Sequence, residues 1–211
     1  MPTTVVSPLV YSEDEYNLAA LLSPSAVQKV GVIQEQLQKL LGDAIWLTPT
    51  NCLHITLMEV ICDTEYKDFS RAQYFNEWYE KYNEQVRRTI AGLSPYDATF
   101  NEIRISQGAI IIKAPDPKPF NDIRDKLLSE IELPQGTKIP PNIAHCTIAR
   151  FNKVVDLDDM QLKARELTID LTERIAAFSL VKDLVPPDFS PKIVEKYELS
   201  DTTTHIVPPN Q

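Results

Sequence analysis

Apolar residues recur along the chain with two different periods, and their order predicts a mixed α/β domain. Residues 17–22, NLAALL, predict a buried strand, and a serine of the SPS turn that follows can cap a helix. The apolar residues of that helix lie three or four positions apart: Val27, Val30, Ile33, Leu37, Leu40 and Leu41. Gly42 suits the C-terminal end of this helix. A loop with Pro49 then leads to a second strand, CLHITLMEV, at residues 52–60.

The middle of the chain predicts a long helix followed by two paired strands. Residues 66–91 carry apolar and aromatic side chains at helical spacing: Phe75, Trp78, Tyr82, Val86 and Ile90. This stripe could serve as a platform for stacking bases, but we expect a helix face packed on a sheet. Residues 99–106 and 109–114 predict strands joined by a tight turn at Gln107 and Gly108.

The strand–helix–strand pattern then occurs a second time. A proline-rich turn after residue 113 precedes a helix with these apolar positions: Phe120, Ile123, Leu127, Leu128 and Ile131. A strand, IAHCTIARF, follows at 143–151. Residues 51–57 read N-x-x-H-x-T-L, and residues 142–148 read N-x-x-H-x-T-I, at an offset of 91. The agreement indicates an internal duplication with units at about 14–62 and 105–155 and a pseudo-twofold pair of lobes.

The C-terminal part completes the predicted domain. Residues 157–171 suggest a helix, and residues 174–200 read as a closing strand hairpin around a proline-rich connection. The chain end reads as disordered, so His205 is not a catalytic candidate. We therefore expect one bilobal domain at 1–205 and a flexible tail at 206–211.

Composition excludes several classes of protein. No apolar run reaches the roughly 18–20 residues of a membrane helix, and the N-terminus lacks the pattern of a signal peptide, so a cytoplasmic protein that binds no membrane is expected. The net charge of −9 disfavours binding to a long nucleic acid duplex but permits a small phosphorylated ligand. The five glycines form neither a phosphate-binding loop nor a dinucleotide-binding motif. Cys52, Cys62 and Cys146 suggest neither a disulfide framework nor a zinc knuckle.

The repeated H-x-T phrase carries the candidate chemistry. Side chains alternate across a strand, so His54 and Thr56 share one face, as do His145 and Thr147. If a pseudo-twofold axis relates the strands, two imidazoles and two hydroxyls surround one cleft. One imidazole can accept a proton while the other donates one, and the hydroxyls can bind anionic oxygens. Hydrolysis of a phosphodiester without a metal or other cofactor fits this constellation.

Other interpretations of the histidines stay open. A single H-x-T strand is most often a structural feature of a core, although its duplication argues against that explanation here. A zinc site is disfavoured because neither His54 nor His145 has a carboxylate or thiol at ligand spacing, and Cys146 points away from His145. The chain could also be a nucleotide-binding module without turnover, or a scaffold in which both histidines are structural.

The paired motif resembles the two-histidine (2H) phosphoesterase superfamily, which includes 2′–5′ RNA ligase-like proteins and cyclic phosphodiesterases. The resemblance covers about residues 14–200. It implies an α/β fold of the α+β type, with two antiparallel sheets facing a central cleft and helices packed outside. It also implies that His54, Thr56, His145 and Thr147 are catalytic. A monomer acting on a small nucleotide or oligonucleotide with a cyclic phosphate or a 2′–5′ or 3′ phosphodiester is expected.

The same resemblance suggests residues that bind substrate. Arg150 stands where the ligase-like branch often has an arginine. The family comparison assigns no base-stacking residue, and Trp46, Tyr16 and Phe151 are candidates only because they lie near the other site residues in the sequence. Strict alternation would place Arg150 opposite His145, so a twist or bulge must turn it if it contacts substrate; otherwise it ends a strand in solvent. By analogy with the family, His145 is expected to be the base and His54 the acid.

Overall fold

The computed structural model describes residues 2–6, 15–61, 70–133, 137, 143–182 and 190–200. Within these ranges the helices are Pro24–Leu41 (α1), Arg71–Ala91 (α2), Lys118–Glu130 (α3) and Leu157–Ala164 (α4). The first five strands are Tyr16–Leu21 (β1), Ile45–Leu47 (β2), His54–Ile61 (β3), Tyr96–Phe100 (β4) and Glu102–Ile105 (β5). The others are Ile110–Ala114 (β6), Ala144–Phe151 (β7), Leu171–Ile175 (β8), Ala177–Lys182 (β9) and Lys192–Glu198 (β10).

The strands form antiparallel sheets. The first sheet has the order β10-β9-β1-β3, the second has the order β2-β7-β6-β5, and β4 pairs with β8 in a small third sheet. The two strands that carry the H-x-T phrase, β3 and β7, contact each other across the boundary between the large sheets. Their apolar backs, including Ile55, Leu57, Cys146 and Ile148, belong to one continuous core. The mixed α/β fold with antiparallel sheets predicted from the sequence is confirmed.

The two repeat units exchange their helices. Helix α1 follows β1 of the first sheet in sequence but contacts β2 and β7 of the second, and α3 follows β6 but contacts β3 of the first sheet. Strand β2, which belongs to the first unit, pairs with β7 of the second. Each H-x-T strand is therefore supported from behind by the helix of the other unit.

Helix α1 shows how the sequence sets these positions. The Ser23 hydroxyl accepts a hydrogen bond from the Ala26 N–H at 3.3 Å, and Gly42 ends the helix with a φ of 55°. Leu40, one of the apolar positions of this helix, is exposed, whereas Gln34 is only 4% exposed. Gln34 lies on the same face as the buried apolar residues of α1 and takes a core position that apolar spacing alone does not reveal.

Helix α3 likewise has a polar residue on its buried face and an apolar residue exposed to solvent. Leu128, one of the apolar positions of α3, is exposed, and Arg124 is only 2% exposed. Phe75 and Trp78 of α2 are buried in the core, which confirms that this aromatic stripe packs inside the protein. Polar residues thus occupy the inner faces of both α1 and α3.

Three strand assignments differ from the sequence prediction. The predicted helix at 157–171 ends at Ala164, and Leu171–Ile175 is a strand with alternating buried and exposed residues. The predicted strand at 99–106 overlaps the end of β4 and all of β5, which belong to different sheets and are separated at Asn101. Strand β2 was not predicted, because three residues are too few to show a period.

Some predictions fall on residues outside the described ranges. These are the N-terminal part of the predicted second helix, Cys62, Asn142 of the second motif copy, and the tail with His205. Among the helices that the structure describes, none is long and apolar enough to cross a membrane.

Candidate active site

A β-bulge follows the threonine of the first H-x-T strand. Leu18 of β1 pairs with Met58, and the next residue, Ala19, pairs with Thr56, so Leu57 is the extra residue in β3. An extra residue shifts the alternation of side chains by one position. Leu57 and Met58 are accordingly both buried.

The second H-x-T strand has its bulge at the same place. Ile110 of β6 pairs with Ala149, and the next residue, Ile111, pairs with Thr147, so Ile148 is the extra residue in β7. Ile148 and Ala149 are both fully buried. The duplication seen in the sequence therefore extends to an irregularity of the backbone.

The two bulges place further side chains beside the histidines. Past the bulge, Glu59 of β3 shares the face of His54, and Arg150 of β7 shares the face of His145. The sequence required a twist or a bulge to bring Arg150 to this face, and the structure contains the bulge. Arg150 is partly buried and makes no hydrogen bond or ion pair with any residue that the structure describes.

His54 is held in one orientation by the backbone. Its Nδ1 lies 2.7 Å from the carbonyl oxygen of Cys52, and because a carbonyl only accepts, Nδ1 carries the hydrogen. The neutral ring then has an unprotonated Nε2. Burial lowers the pKa of His54 to about 4, with smaller contributions from His145 and Arg150, while the bond to Cys52 acts in the opposite direction.

His145 has a related environment. Burial lowers its pKa, and the positive charges of Arg124 and Arg150 lower it further, while the backbone of Ile143 raises it. The strands that carry the two histidines contact each other, and the charge of His145 lowers the pKa of His54. Both histidines are therefore poised to be neutral near pH 7 until an anion binds.

The threonines present free hydroxyl groups. Thr56 and Thr147 are partly buried, and neither hydroxyl bonds to a residue within the described part of the chain. Their direct cross-strand neighbours, Ala19 and Ile111, offer no polar group. Both hydroxyls are available to bind oxygen atoms of a ligand.

The second sheet adds positive charge to the same face. Lys113 of β6 pairs with His145, and its Nζ lies 3.2 Å from a carboxylate oxygen of Glu102 on β5. Arg104 of β5 lies one row further along, opposite Ile111. The sequence analysis missed Lys113 and Arg104, because only the strand register reveals which β5 and β6 residues share the face of His145.

The residues predicted to stack on a base have different locations. Trp46 is partly buried and is the direct cross-strand neighbour of Arg150, so the structure brings these two residues together. Phe151 is fully buried in the core, because alternation sends it to the side opposite Arg150. Tyr16 is buried and stacks on Phe75 with ring centroids 3.6 Å apart. The stacking role predicted for Tyr16 and Phe151 is therefore wrong.

Arg124 supports the bulge of β3 from behind. Its Nε donates to the Leu57 carbonyl at 2.6 Å, one terminal nitrogen donates to the Thr56 carbonyl at 3.1 Å, and the other donates to Asn121 Oδ1 at 2.8 Å. The carbonyl groups of a bulge lack regular ladder partners, so these bonds satisfy groups that would otherwise be buried without one.

Gln34 adds a hydrogen bond at the bulge of β7, where the Ile148 carbonyl also accepts from the Thr48 N–H at 3.0 Å. Its Nε2 donates to the Ile148 carbonyl at 2.8 Å and to the Thr48 carbonyl at 2.7 Å. Gln34 and Arg124 belong to the two exchanged helices, so the helix of each unit bonds to the H-x-T strand of the other. A polar residue at a core position of each helix was the only sequence signal for this arrangement. Within the described ranges, no group of three His, Cys, Asp or Glu side chains is placed to hold a metal ion.

The burial of His54 predicts a loss of stability in acid. Its pKa in the folded protein is about 4, against 6.5 for an unperturbed histidine, so the unfolded state binds a proton first as the pH falls. The free energy of unfolding should therefore decrease between pH 6.5 and 4, by up to about 3 kcal/mol from this group. Urea unfolding of the wild type and of His54→Gln across this range measures it. The prediction would be contradicted if the free energy of unfolding changed with pH by the same amount in both proteins.

A fold in which two bulged H-x-T strands adjoin along one cleft is that of a two-histidine phosphoesterase. Residues 47–185 match the 2′-5′ RNA ligase superfamily, and the chain belongs to this superfamily. No curated protein matches the sequence of the chain.

Solved structures have the same fold at low sequence identity. LigT from E. coli in its apo form has a TM-score of 0.62 and 12% identity, covering 90% of this chain and 99% of LigT. The TT0787 protein of Thermus thermophilus has a TM-score of 0.61 and 17% identity, covering 88% of this chain and 97% of its own. LigT has also been crystallised with 3′-AMP, and that structure matches with a TM-score of 0.61, 11% identity and coverage of 90% and 99%. The family predicted from the sequence is confirmed.

Proposed function

We propose that this protein is a metal-independent phosphodiesterase that hydrolyses a cyclic phosphate, or a 2′–5′ or 3′ phosphodiester, of a nucleotide or RNA end. The observation that carries the proposal is the equivalent placement of His54 with Thr56 and His145 with Thr147 on two bulged strands. Arg150, without an ion-pair partner among the described residues, supplies positive charge beside them. Membership of the 2′-5′ RNA ligase superfamily supports the same class of reaction.

The proposed roles of the two histidines are the reverse of those expected from the family. His54 has the strongly lowered pKa, and its Nδ1–H is bonded to Cys52, so its free Nε2 is suited to accept a proton from water. The water oxygen then forms a bond to phosphorus while the bond from phosphorus to a ribose oxygen breaks. His145 donates a proton to that leaving oxygen, and the bound phosphate raises the pKa of His145 so that it is protonated beforehand.

The hydroxyls and the arginine stabilise the charge that this reaction moves. Thr56 and Thr147 donate to the non-bridging phosphate oxygens from opposite strands, and Arg150 provides a charge-assisted hydrogen bond. Trp46, beside Arg150, is the remaining candidate for contact with a base. The LigT complex with 3′-AMP supports a small nucleotide as the ligand class. We also propose that the protein is a cytoplasmic monomer and that it acts on small nucleotides, not on nucleic acid duplexes.

Turnover of small substrates tests the proposed function. Purified protein incubated with 2′,3′-cyclic nucleotides and 2′–5′ oligoadenylates in the presence of a chelator should yield ring-opened or shortened products, measured by chromatography. Retained activity in the chelator is expected, because two imidazoles supply both proton transfers. Activity that vanishes with the chelator and returns with zinc or manganese would contradict the metal-free mechanism. Binding without any product would identify a nucleotide-binding module instead.

A further inference from the structure

Beyond the bulge of β3, the first sheet ends its side of the cleft with two polar residues. Asn17 of β1 is the direct cross-strand neighbour of Glu59, and in the preceding row Ala19 is the neighbour of Thr56. Asn17 and Glu59 therefore lie on the face of His54 and Thr56. The duplicated position in the second unit is Arg150, so the two units differ here in the sign of their charge.

Asn17 is a buried amide that lacks a protein partner. It is only 4% exposed, and its side chain makes no hydrogen bond to another residue of the described ranges. Its cross-strand neighbour on the other side is Val181, which is apolar. The amide atoms of Asn17 are not among the fully buried polar atoms without a partner, so the small exposed part of this residue leaves the amide able to bond to a ligand.

Glu59 brings a negative charge to the end of the cleft where Arg150 lies. It is partly buried and forms no ion pair with a described residue, but its charge raises the pKa of Arg150 against the effect of burial. The Glu59 carboxylate repels a second phosphate at this end of the cleft and accepts hydrogen bonds from uncharged donors. The group that binds here should therefore be neutral and rich in N–H donors.

The neighbours of these residues in the first sheet are mostly apolar, with Ser179 of β9 opposite Ala19 as the polar exception. Ala19 and Val181 are fully buried and form a small cluster with Leu21, separate from the main core. They lie in the rows of the cleft face that contain Thr56 and Asn17.

We propose that Glu59 and Asn17 form a subsite for the base of the nucleotide, and that guanine fits it best. The carboxylate of Glu59 would accept from N1–H and the N2 amino group of guanine, and the Asn17 amide would donate to O6. Adenine and cytosine offer only one amino group at that edge, and uracil offers one ring N–H. This inference rests on the proposed function for the placement of the phosphate, but base preference can be measured without turnover.

Calorimetric binding of 3′-GMP and 3′-UMP tests the subsite. Wild-type protein should bind 3′-GMP at least about tenfold more tightly than 3′-UMP, because a hydrogen bond to a charged group discriminates strongly between bases. In Glu59→Gln, whose side chain keeps its shape but turns a donor toward the base, the preference should fall below about threefold. Asn17→Ala should lower the affinity for 3′-GMP more than the affinity for 3′-UMP. Glu35→Gln, which removes an exposed charge from α1, is the matched control and should keep the wild-type preference.

The outcomes separate this subsite from the proposed activity. Equal binding of the two nucleotides by wild type, or binding of neither, would overturn the guanine subsite. Glu59→Gln changing both affinities by the same factor would overturn it too, because Glu59 would then act only through Arg150. Turnover of the 2′,3′-cyclic nucleotides is measured in parallel. A guanine preference in binding with no turnover would overturn the phosphodiesterase and leave the subsite standing.

Discussion

Replacing His54 or His145 with alanine should lower kcat/KM for a 2′,3′-cyclic nucleotide by a factor of about 10²–10⁴ for each variant. Each imidazole transfers a different proton in the proposed reaction, so neither can substitute for the other. The Cys52 carbonyl orients the ring of His54, and the phosphate must bind before His145 can act as an acid. Steady-state kinetics of the two variants measures these losses.

Substrates with a good leaving group distinguish the acid from the base. An aryl phosphodiester whose phenolate leaves without protonation should restore much of the activity of His145→Ala. The same substrate should leave His54→Ala inactive, because the attacking water still needs a base. Rescue of His54→Ala alone would restore the roles expected from the family, and rescue of both or neither would remove the assignment.

The third histidine of the sequence supplies the matched control. His205→Ala changes the same residue type outside the paired motif and should retain full activity. Thermal melts of all three variants show whether a lost activity reflects unfolding. Full activity in both His54→Ala and His145→Ala would exclude the two-histidine mechanism altogether.

Repetition in the sequence made the fold and the central residues predictable. Leu37 and Val30 of α1 mark a helical period, and the strands around His54 and His145 alternate with a period of two. A histidine and a threonine on one strand say little, but their recurrence at an offset of 91 residues identifies a pair. The same argument predicts that Glu59 and Arg150 are equivalent positions.

The rest of the site depends on register and on contacts between the two units. Strict alternation would place Glu59 and Arg150 on the faces opposite His54 and His145. Only the register of the paired strands reveals the extra residues Leu57 and Ile148. The bulge also explains why Phe151 is buried in the core, since it follows Arg150 beyond the extra residue. The predicted helix at 157–171 extends too far, because Leu171 continues its apolar series but begins strand β8, which pairs with β4.

Arg124→Met should destabilise the protein by about 2–4 kcal/mol and also disturb catalysis. The Arg124 guanidinium donates three hydrogen bonds, two of them to the backbone at the bulge of β3, and methionine replaces much of its volume but none of its donors. The loss leaves the carbonyls of Thr56 and Leu57 buried without these donors. Release of the buried cation offsets part of this cost, because burying a charge is itself unfavourable. Urea unfolding measures the difference.

Arg174→Met is the matched control for this change. Its guanidinium forms an exposed ion pair with Asp97 at 3.3 Å, away from the bulges. An exposed pair of this kind contributes at most about 1 kcal/mol, so this variant should unfold almost like the wild type. An equally small effect in Arg124→Met would show that the bulge of β3 is maintained without the arginine.

The pH dependence of the Arg124 variants separates a positioning role from a purely structural one. The positive charge of Arg124 lowers the pKa of His145, so its removal should raise that pKa. If His145 is the acid, activity is lost as His145 deprotonates, and the basic limb of kcat/KM should move to higher pH in Arg124→Met. Arg124→Lys keeps the charge but not the planar set of donors to Thr56 and Leu57. Arg124→Lys should therefore lose stability but keep the basic limb of kcat/KM at its wild-type pH. If the basic limb stays at the wild-type pH in both variants, Arg124 has no electrostatic effect on His145.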